Sequence, residues 1–306
     1  MKVLRFFHEL KHLETPSAVA IGNFDGMHLG HQAILKNIQD QAKARGWASV
    51  VILFEPHPKE YFVPNLSPPR LMRLEDKLLF LAKMGMDIVV CLRFNEELAN
   101  LSATHFVEKI LIDKLKIGYL SVGSDFHFGH QRQGNVQFLR QAAIVNHFEL
   151  VTQTAVIAEH GETRISSTEI RALINQSKLE EARKLLGHPI TLSGRVVRGS
   201  MRGRSLGFPT ANISLRRHMA YSGVFAVRVK LGEETYPGVA NIGTRPTVNG
   251  HSRFLETFLF DFSGNLYGQR LCVELFAKIR EEVRFESLDA LRAQIEKDIL
   301  EAKKLL

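Results

Sequence analysis

Ala18-Val19-Ala20-Ile21-Gly22-Asn23-Phe24-Asp25-Gly26-Met27-His28-Leu29-Gly30-His31 runs a short apolar stretch directly into a block holding three glycines and two histidines three residues apart. Residues 18–21 read as a buried strand, and the stretch from Gln32 to Arg45 places Ala33, Ile34, Ile38 and Ala42 at helical spacing. The block therefore sits where a strand turns into a helix. Unpaired backbone N–H groups and the positive end of the helix dipole attract an anion there, and glycine lets the backbone approach it closely. His28 and His31, one helical turn apart, face the same ligand. Two imidazoles so placed suit the charge that builds on a phosphate during displacement.

Outward from this block, residues 1 to about 185 alternate strands with helices, as a parallel sheet with helical crossovers does. Strands are expected at 18–22, 49–54, 87–92, 119–123 and 149–157, and helices at 32–45, 74–84, 102–115 and 136–147. Such an open doubly wound sheet holds its ligand at the carboxyl ends of the strands. The segment Gly123-Ser124-Asp125-Phe126-His127-Phe128-Gly129 follows a strand, as the first block does, so both should line that crevice. Two short helices, 167–175 and 178–186, then lead to the hinge Gly187-His188-Pro189. Beyond Ile190 short alternating runs at 223–230, 235–240, 254–260 and 270–276 are separated by Gly, Pro and Asn, the texture of an antiparallel barrel. A final helix opens at Ser287, with Leu288, Leu291, Ile295, Ile299 and Ala302 as one stripe that packs on the barrel. The expected domains are 1–186 and 187–306.

A chain of 306 residues with 45% hydrophobic and 24% charged residues is ordinary globular material for two domains. No apolar run approaches the roughly 18 residues of a membrane span, and residues 1–9 lack a signal peptide's apolar region. A cytoplasmic location is expected. Cys91 and Cys272 lie in apolar runs far apart and read as buried thiols, with no disulfide framework and no cysteine zinc site. The net charge of +8 and pI near 9.5 favour anionic ligands. Spread along the chain, without aromatics interleaved among the basic residues, that charge argues against a nucleic-acid groove.

The second half opens with a second phosphate-handling stretch, Gly199-Ser200-Met201-Arg202-Gly203-Arg204-Ser205-Leu206-Gly207-Phe208-Pro209-Thr210-Ala211-Asn212. Its glycines free backbone N–H groups to wrap phosphates, and Thr210 with Asn212 offers neutral oxygens that suit magnesium sharing ligands with phosphate. In an extended segment both point to one face. Phosphorylating a hydroxyl also requires a carboxylate to take or orient its proton. Glu274, a charge inside the apolar run 270–276, is one candidate and Glu256 is its rival; each is otherwise an outward-facing strand residue. In Arg164-Ile165-Ser166-Ser167-Thr168, Ser167 or Thr168 suits a helix cap, and Arg164 just upstream makes a phosphate clamp.

Taken together, residues 22–31, Phe54-Glu55-Pro56-His57-Pro58, residues 164–171 and residues 203–213 resemble the bacterial bifunctional riboflavin kinase/FMN adenylyltransferase family, also called FAD synthetase, over essentially the whole chain. The resemblance implies a Rossmann-like doubly wound nucleotidyltransferase domain followed by a Greek-key β-barrel riboflavin kinase domain. It implies two reactions: riboflavin and ATP give FMN and ADP, then FMN and ATP give FAD and pyrophosphate, with Mg2+ as the metal. By resemblance His28 and His31 stabilise the α-phosphate transition state, and Arg164, Ser167 and Thr168 bind the pyrophosphate portion. Gly22, Asn23, Phe24, Asp25, Gly30, Pro56, Pro58 and Asp125 line the ATP or flavin site of the first domain. Gly203, Arg204, Gly207, Pro209 and Thr247 do so in the second, the last within a flavin-side loop at 243–247. Thr210 and Asn212 bind magnesium and ATP phosphates, and Glu274 matches the family's catalytic base. Two positions depart from the pattern: His127 replaces a basic residue, and Phe258 replaces a histidine after Glu256-Thr257. The implied partners are small molecules, with no nucleic acid or membrane, and a monomer or weak homo-oligomer. The competing reading is a basic protein that binds RNA or flavin without chemistry.

Overall fold

The computed structural model describes residues 1–5, 12–153, 165–199, 207–215, 218–247 and 250–306. Two compact units emerge, Met1–Pro68 with Lys77–Ser166 and Pro69–Asp76 with Ser167–Leu306.

In the first unit β1 (Lys2–Leu4), β2 (Ser17–Ile21), β3 (Ala48–Glu55), β4 (Ile88–Arg93) and β5 (Ile117–Gly123) are followed by a short antiparallel pair, β6 (His127–Phe128) and β7 (Gly134–Asn135), and by β8 (Glu149–Gln153). The main sheet runs β1-β4-β3-β2-β5-β8 with every neighbour parallel. All five residues of β2 are buried, which is why Ser17 to Ile21 reads as a continuous rather than alternating run. Val19, Ile52, Val90 and Leu120 form one core with Phe106, Ile110 and Leu111. From β2 the chain winds outward through β3 and β4, then returns to the opposite side of β2 as β5. That reversal makes the carboxyl ends of β2 and β5 the topological switch point, the crevice of such sheets.

Helix α1 (Leu29–Arg45) follows β2, with Gly46 left-handed at its C-cap and Lys43 and Arg45 in its last turn. It buries Leu35, Ile38 and Ala42, whereas Ala33 of the expected stripe is exposed. The expected helix over 102–115 begins at the Ser102 cap as Ala103–His105 and continues as a π-helix over Phe106–Lys114.

The second unit contains a closed six-stranded barrel of β9 (Thr191–Val197), β10 (Ala211–Leu215), β11 (Gly223–Leu231), β12 (Glu234–Thr247), β13 (Gly250–Leu259) and β14 (Arg270–Arg280). All pairings are antiparallel, and the order β14-β11-β12-β13 is a Greek key. Leu192, Ile213, Phe225, Ile242, Leu255 and Val273 fill the interior. The helices Ser167–Asn175 and Leu179–Leu186 bury Ile170, Ile174, Ala182 and Leu186 in this same core, which groups residues 167–186 with the barrel rather than with the parallel sheet. Pro69–Asp76 joins them, a second difference from a division into 1–186 and 187–306.

The C-terminal helix, Leu288–Leu305, packs Ile299 and Ala302 against Val224, Ala226, Val239 and Phe260. Leu288 stays largely exposed, so the apolar stripe is seated at its C-terminal end. Arg280 holds the buried Asp298 by two hydrogen bonds, Nε to Oδ1 at 2.9 Å and Nη2 to Oδ2 at 2.7 Å. Cys91 is buried and Cys272 half-buried, and neither forms a disulfide. No described helix is long and apolar enough to cross a membrane.

Candidate active sites

The switch point of the first unit is occupied by the loop between β2 and α1. Its turn requires left-handed backbone at Phe24 (φ 46°), Gly26 (φ 83°) and Met27 (φ 44°), a conformation held in place by burying Phe24 and Met27. Lys77 stitches the loop from beneath, its buried ammonium donating to the Asn23 carbonyl at 2.8 Å and lying 3.9 Å from Asp25. Sequence reading missed Lys77; only its contacts in the fold mark it.

His28 caps α1, and its Nδ1 accepts from the His31 backbone N–H at 3.3 Å. That bond leaves Nδ1 unprotonated and puts the proton of the neutral ring on Nε2. The two imidazoles stack at 3.5 Å between centroids, with Phe24 edge-on to His31 at 5.1 Å. Burial first, then the His28 ring and the Lys77 ammonium, hold His31 well below the usual histidine range. His31 is therefore neutral at pH 7, its Nδ1 buried without a hydrogen-bond partner, as is Asn23 Oδ1. A neutral His31 ring donates a hydrogen bond to a phosphate without pairing with it as a fixed charge.

Gly22, Asn23, Phe24, Asp25 and Gly30 all fall in this loop or the first turn of α1, as expected. Asp125 is exposed just beyond β5, the adjacent switch-point strand, and its carbonyl lies 2.8 Å from His127 Nδ1. Pro56 and Pro58 follow β3, with Pro58 opening the short helix Pro58–Phe62. Next to them the fold gathers aromatic rings that the sequence did not announce. Phe54, Tyr61 and Phe62 each meet Phe94 edge-on, at 6.1, 5.5 and 5.5 Å, and Phe62 is 61% exposed. Tyr61 and Phe62 lie in sequence near the Pro56–Pro58 stretch, but Phe94 is brought in from the end of β4. Arg164 lies outside the described residues, and Ser167 and Thr168 open the helix Ser167–Asn175 in the second unit.

The second unit has a cavity of about 680 Å³ whose lining includes Gly199, Gly207, Pro209, Thr210, Asn212 and Tyr267. Asn212 alternates with the core residues Ala211 and Ile213, so its side chain is on the outer face of β10. Its Nδ2 donates to the Thr210 carbonyl at 3.1 Å, while its buried Oδ1 has no hydrogen-bond partner. A Cβ on Gly199 would come within 2.6 to 2.8 Å of the Asn212 amide, so glycine there leaves the amide its space. Gly203 and Arg204 lie outside the described residues. Thr247 ends β12 opposite Gly250; the expected flavin-side loop 243–247 is strand.

Strand register separates the two carboxylate candidates. Glu256 on β13 is directly opposite Asn212 on β10 and opposite Asn241 on β12. Directly opposed residues share a face with Cα atoms about 5 Å apart. Glu274 also faces outward, between the core residues Val273 and Leu275, but its partners are Arg228 and Thr191. Thr191 is six residues along β9 from Val197, which pairs with Asn212, an offset of about 20 Å along the strand. The structure thus brings Glu256 to Asn212 and leaves Glu274 elsewhere on the barrel, contrary to the assignment by resemblance.

Both halves match known families. The FAD synthetase family model covers residues 10–169 and the riboflavin kinase family model residues 186–306. The bifunctional riboflavin kinase/FMN adenylyltransferase of Escherichia coli K12 is 46% identical over 306 residues, covering 99% of this chain and 97% of its own. This chain belongs to that family. The relative of the same name from Haemophilus influenzae is 43% identical over 99% of this chain and 98% of its own. A crystal structure described as a macrolide-efflux protein from Streptococcus pneumoniae has a TM-score of 0.77 at 29% identity and covers 97% of each chain. The fold inferred from the sequence, a Rossmann-like sheet followed by a closed antiparallel barrel and a C-terminal helix, is the fold observed.

Proposed function

We infer that this chain makes FMN from riboflavin and ATP in its barrel unit and FAD from FMN and ATP in its parallel-sheet unit. The observation that carries the reading is the pairing, in one chain of this family, of a histidine-capped switch-point loop with a barrel cavity holding an unpartnered Asn212 oxygen.

In the first unit the N-terminus of α1 and the His28 and His31 rings receive the α-phosphate of ATP, and their N–H groups stabilise the negative charge that grows as the FMN phosphate attacks. Asp125, Pro56 and Pro58 border the nucleotide and flavin, and Arg164 takes the departing pyrophosphate; Ser167 and Thr168, expected to share that role, open a helix of the second unit. The exposed rings of Tyr61 and Phe62 give the flat isoalloxazine an apolar, edge-rich surface.

In the second unit Gly207 and Pro209 shape the cavity wall, with Gly203, Arg204 and Thr247 completing the phosphate and flavin contacts. Thr210 and Asn212 would hold Mg2+; a buried neutral oxygen without a partner suits a hard cation, which supplies charge neutralisation to the ATP phosphates. Glu256, opposite Asn212, accepts the proton of the riboflavin hydroxyl as it attacks the terminal phosphate. The protein is read as cytoplasmic, monomeric or weakly self-associating, with small molecules and not nucleic acid as its partners.

Incubating the chain with riboflavin, ATP and magnesium and separating the flavins by chromatography tests this directly. FMN should rise first and then give way to FAD. No conversion, with tight salt-sensitive RNA binding instead, would favour the non-catalytic reading.

A further inference from the structure

Residues 69–76 lie within the FAD synthetase match yet pack with the barrel. The attachment is dense. Arg70 exchanges backbone bonds with His218 and Ala220 at 2.7 and 2.9 Å, and Leu71 is buried in the barrel core, its carbonyl accepting from the Tyr221 hydroxyl at 2.9 Å. Arg171 Nε donates to the Pro69 carbonyl at 2.7 Å. At its far end the segment grips one residue of β9 from both sides: Arg73 Nη1 donates to the Ser193 carbonyl, and the Ser193 N–H donates to Asp76 Oδ1 at 3.2 Å. Gly194 makes room for this, since a Cβ there would meet the Arg73 guanidinium at 3.1 Å.

Strand β9 is the barrel strand that pairs with β10 at Val196–Ile213 and Val197–Asn212, and Val196 and Gly199 line the cavity beside Thr210 and Asn212. The clamp on Ser193 is thus three residues from the cavity wall. We propose that Arg73 and Asp76 are positioning residues of the riboflavin kinase centre, fixing β9 so that β10 and its Asn212 keep their place in the wall of the cavity. The inference rests on the kinase reading above.

Asp76 is well placed to set this grip by its charge. Arg73 faces it from its own segment and Arg270 and the Cys272 thiol from β14, while Glu75 reaches both arginines at 3.6 Å and Glu274 bears on Cys272. Burial, opposed by the Ser193 hydrogen bonds and the two arginines, pushes Asp76 up to about 6, and its Oδ2 is buried without a hydrogen-bond partner. The carboxylate therefore anchors Arg73 most strongly above that pH.

The test follows FMN formation from riboflavin and, as control, FAD formation from supplied FMN, across pH. Asp76→Ala and Arg73→Ala are expected to lower kcat/KM for FMN formation by about tenfold, with FAD formation unchanged. Asp76→Asn keeps the acceptor but not the charge. It should fall severalfold below the parent chain near pH 8, converge with it near pH 5, and show no inflection near the Asp76 value of about 6. If Asp76→Ala fails to fold, this profile alone decides. A parent that forms FMN while Asp76→Ala forms it equally fast, or an Asp76→Asn profile that keeps the inflection, overturns the clamp. A parent that forms no FMN overturns the kinase reading itself.

Discussion

The two candidate sites offer opposite kinds of groups. At the switch point of the parallel sheet, the groups offered are backbone N–H groups, the stacked His28 and His31 rings, of which His31 is held neutral, and the Lys77 ammonium bound to the same loop. On the outer face of the barrel, the presented groups are neutral oxygens of Thr210 and Asn212 with a carboxylate, Glu256, alongside. The first is a donor site that needs no cation to receive an anion; the second is an acceptor site that is complementary to a phosphate only through a cation or through protons. A helix N-terminus supplies donors as a by-product of its geometry, whereas a strand face supplies only what its side chains carry.

The largest effect that separates the two is expected from removing both imidazoles. His28→Ala with His31→Ala should reduce FAD formation by about a thousandfold or more, with FMN formation at the parent rate; loss of both activities in a folded variant would break the separation. Next comes the carboxylate. Glu256→Gln should lower FMN formation by about a hundredfold, while Glu274→Gln stays within about twofold. Reversed results would show that strand register misleads here. Asn212→Ala is expected to cost FMN formation about tenfold and to demand more magnesium for half-maximal rate, measured by a metal titration that leaves FAD formation as internal control.

Smaller effects sharpen the electrostatic side of the contrast. Lys77→Met removes a charge that depresses His31, so the pH below which FAD formation declines should move upward, with a severalfold lower rate, as read from a pH–rate profile. For Asp76 the sign runs the other way. Its folded value of about 6 exceeds the ordinary 3.8, so the folded state holds the proton more tightly than the unfolded one and the second unit gains stability as pH falls from above 6 toward 4. Asp76→Asn should therefore stabilise the unit near pH 8 by up to about 3 kcal/mol, seen as a raised denaturation midpoint, even as it slows FMN formation.

Much was readable from the chain itself. The strand-to-helix reading of residues 18–45 depends on local periodicity, so β2 and α1 appear close to where expected, although α1 begins at Leu29 behind a His28 cap rather than at Gln32. The barrel was legible as texture, but β9 and β10 were not, because Ser193, Gly194 and Arg195 interrupt β9 and a Gly-rich approach ending in Pro209 hides β10. The loop expected at 243–247 is strand for a related reason: pairing with β13 on one side carries the long strand β12 through Gly243 and Pro246, which would end a solitary one.

By itself, then, the sequence determined what is local: which segment turns from strand into helix, which residues carry neutral oxygens, and which runs are buried on both faces. Tertiary structure decided what depends on pairing between distant segments. Register set Glu256 and not Glu274 opposite Asn212, because two glutamates in similar apolar strands differ in which residue lies across from them. Packing assigned Pro69–Asp76 and the helices of 167–186 to the barrel, the first because its partners come from more than a hundred residues away and the second because their apolar faces are buried in the barrel core.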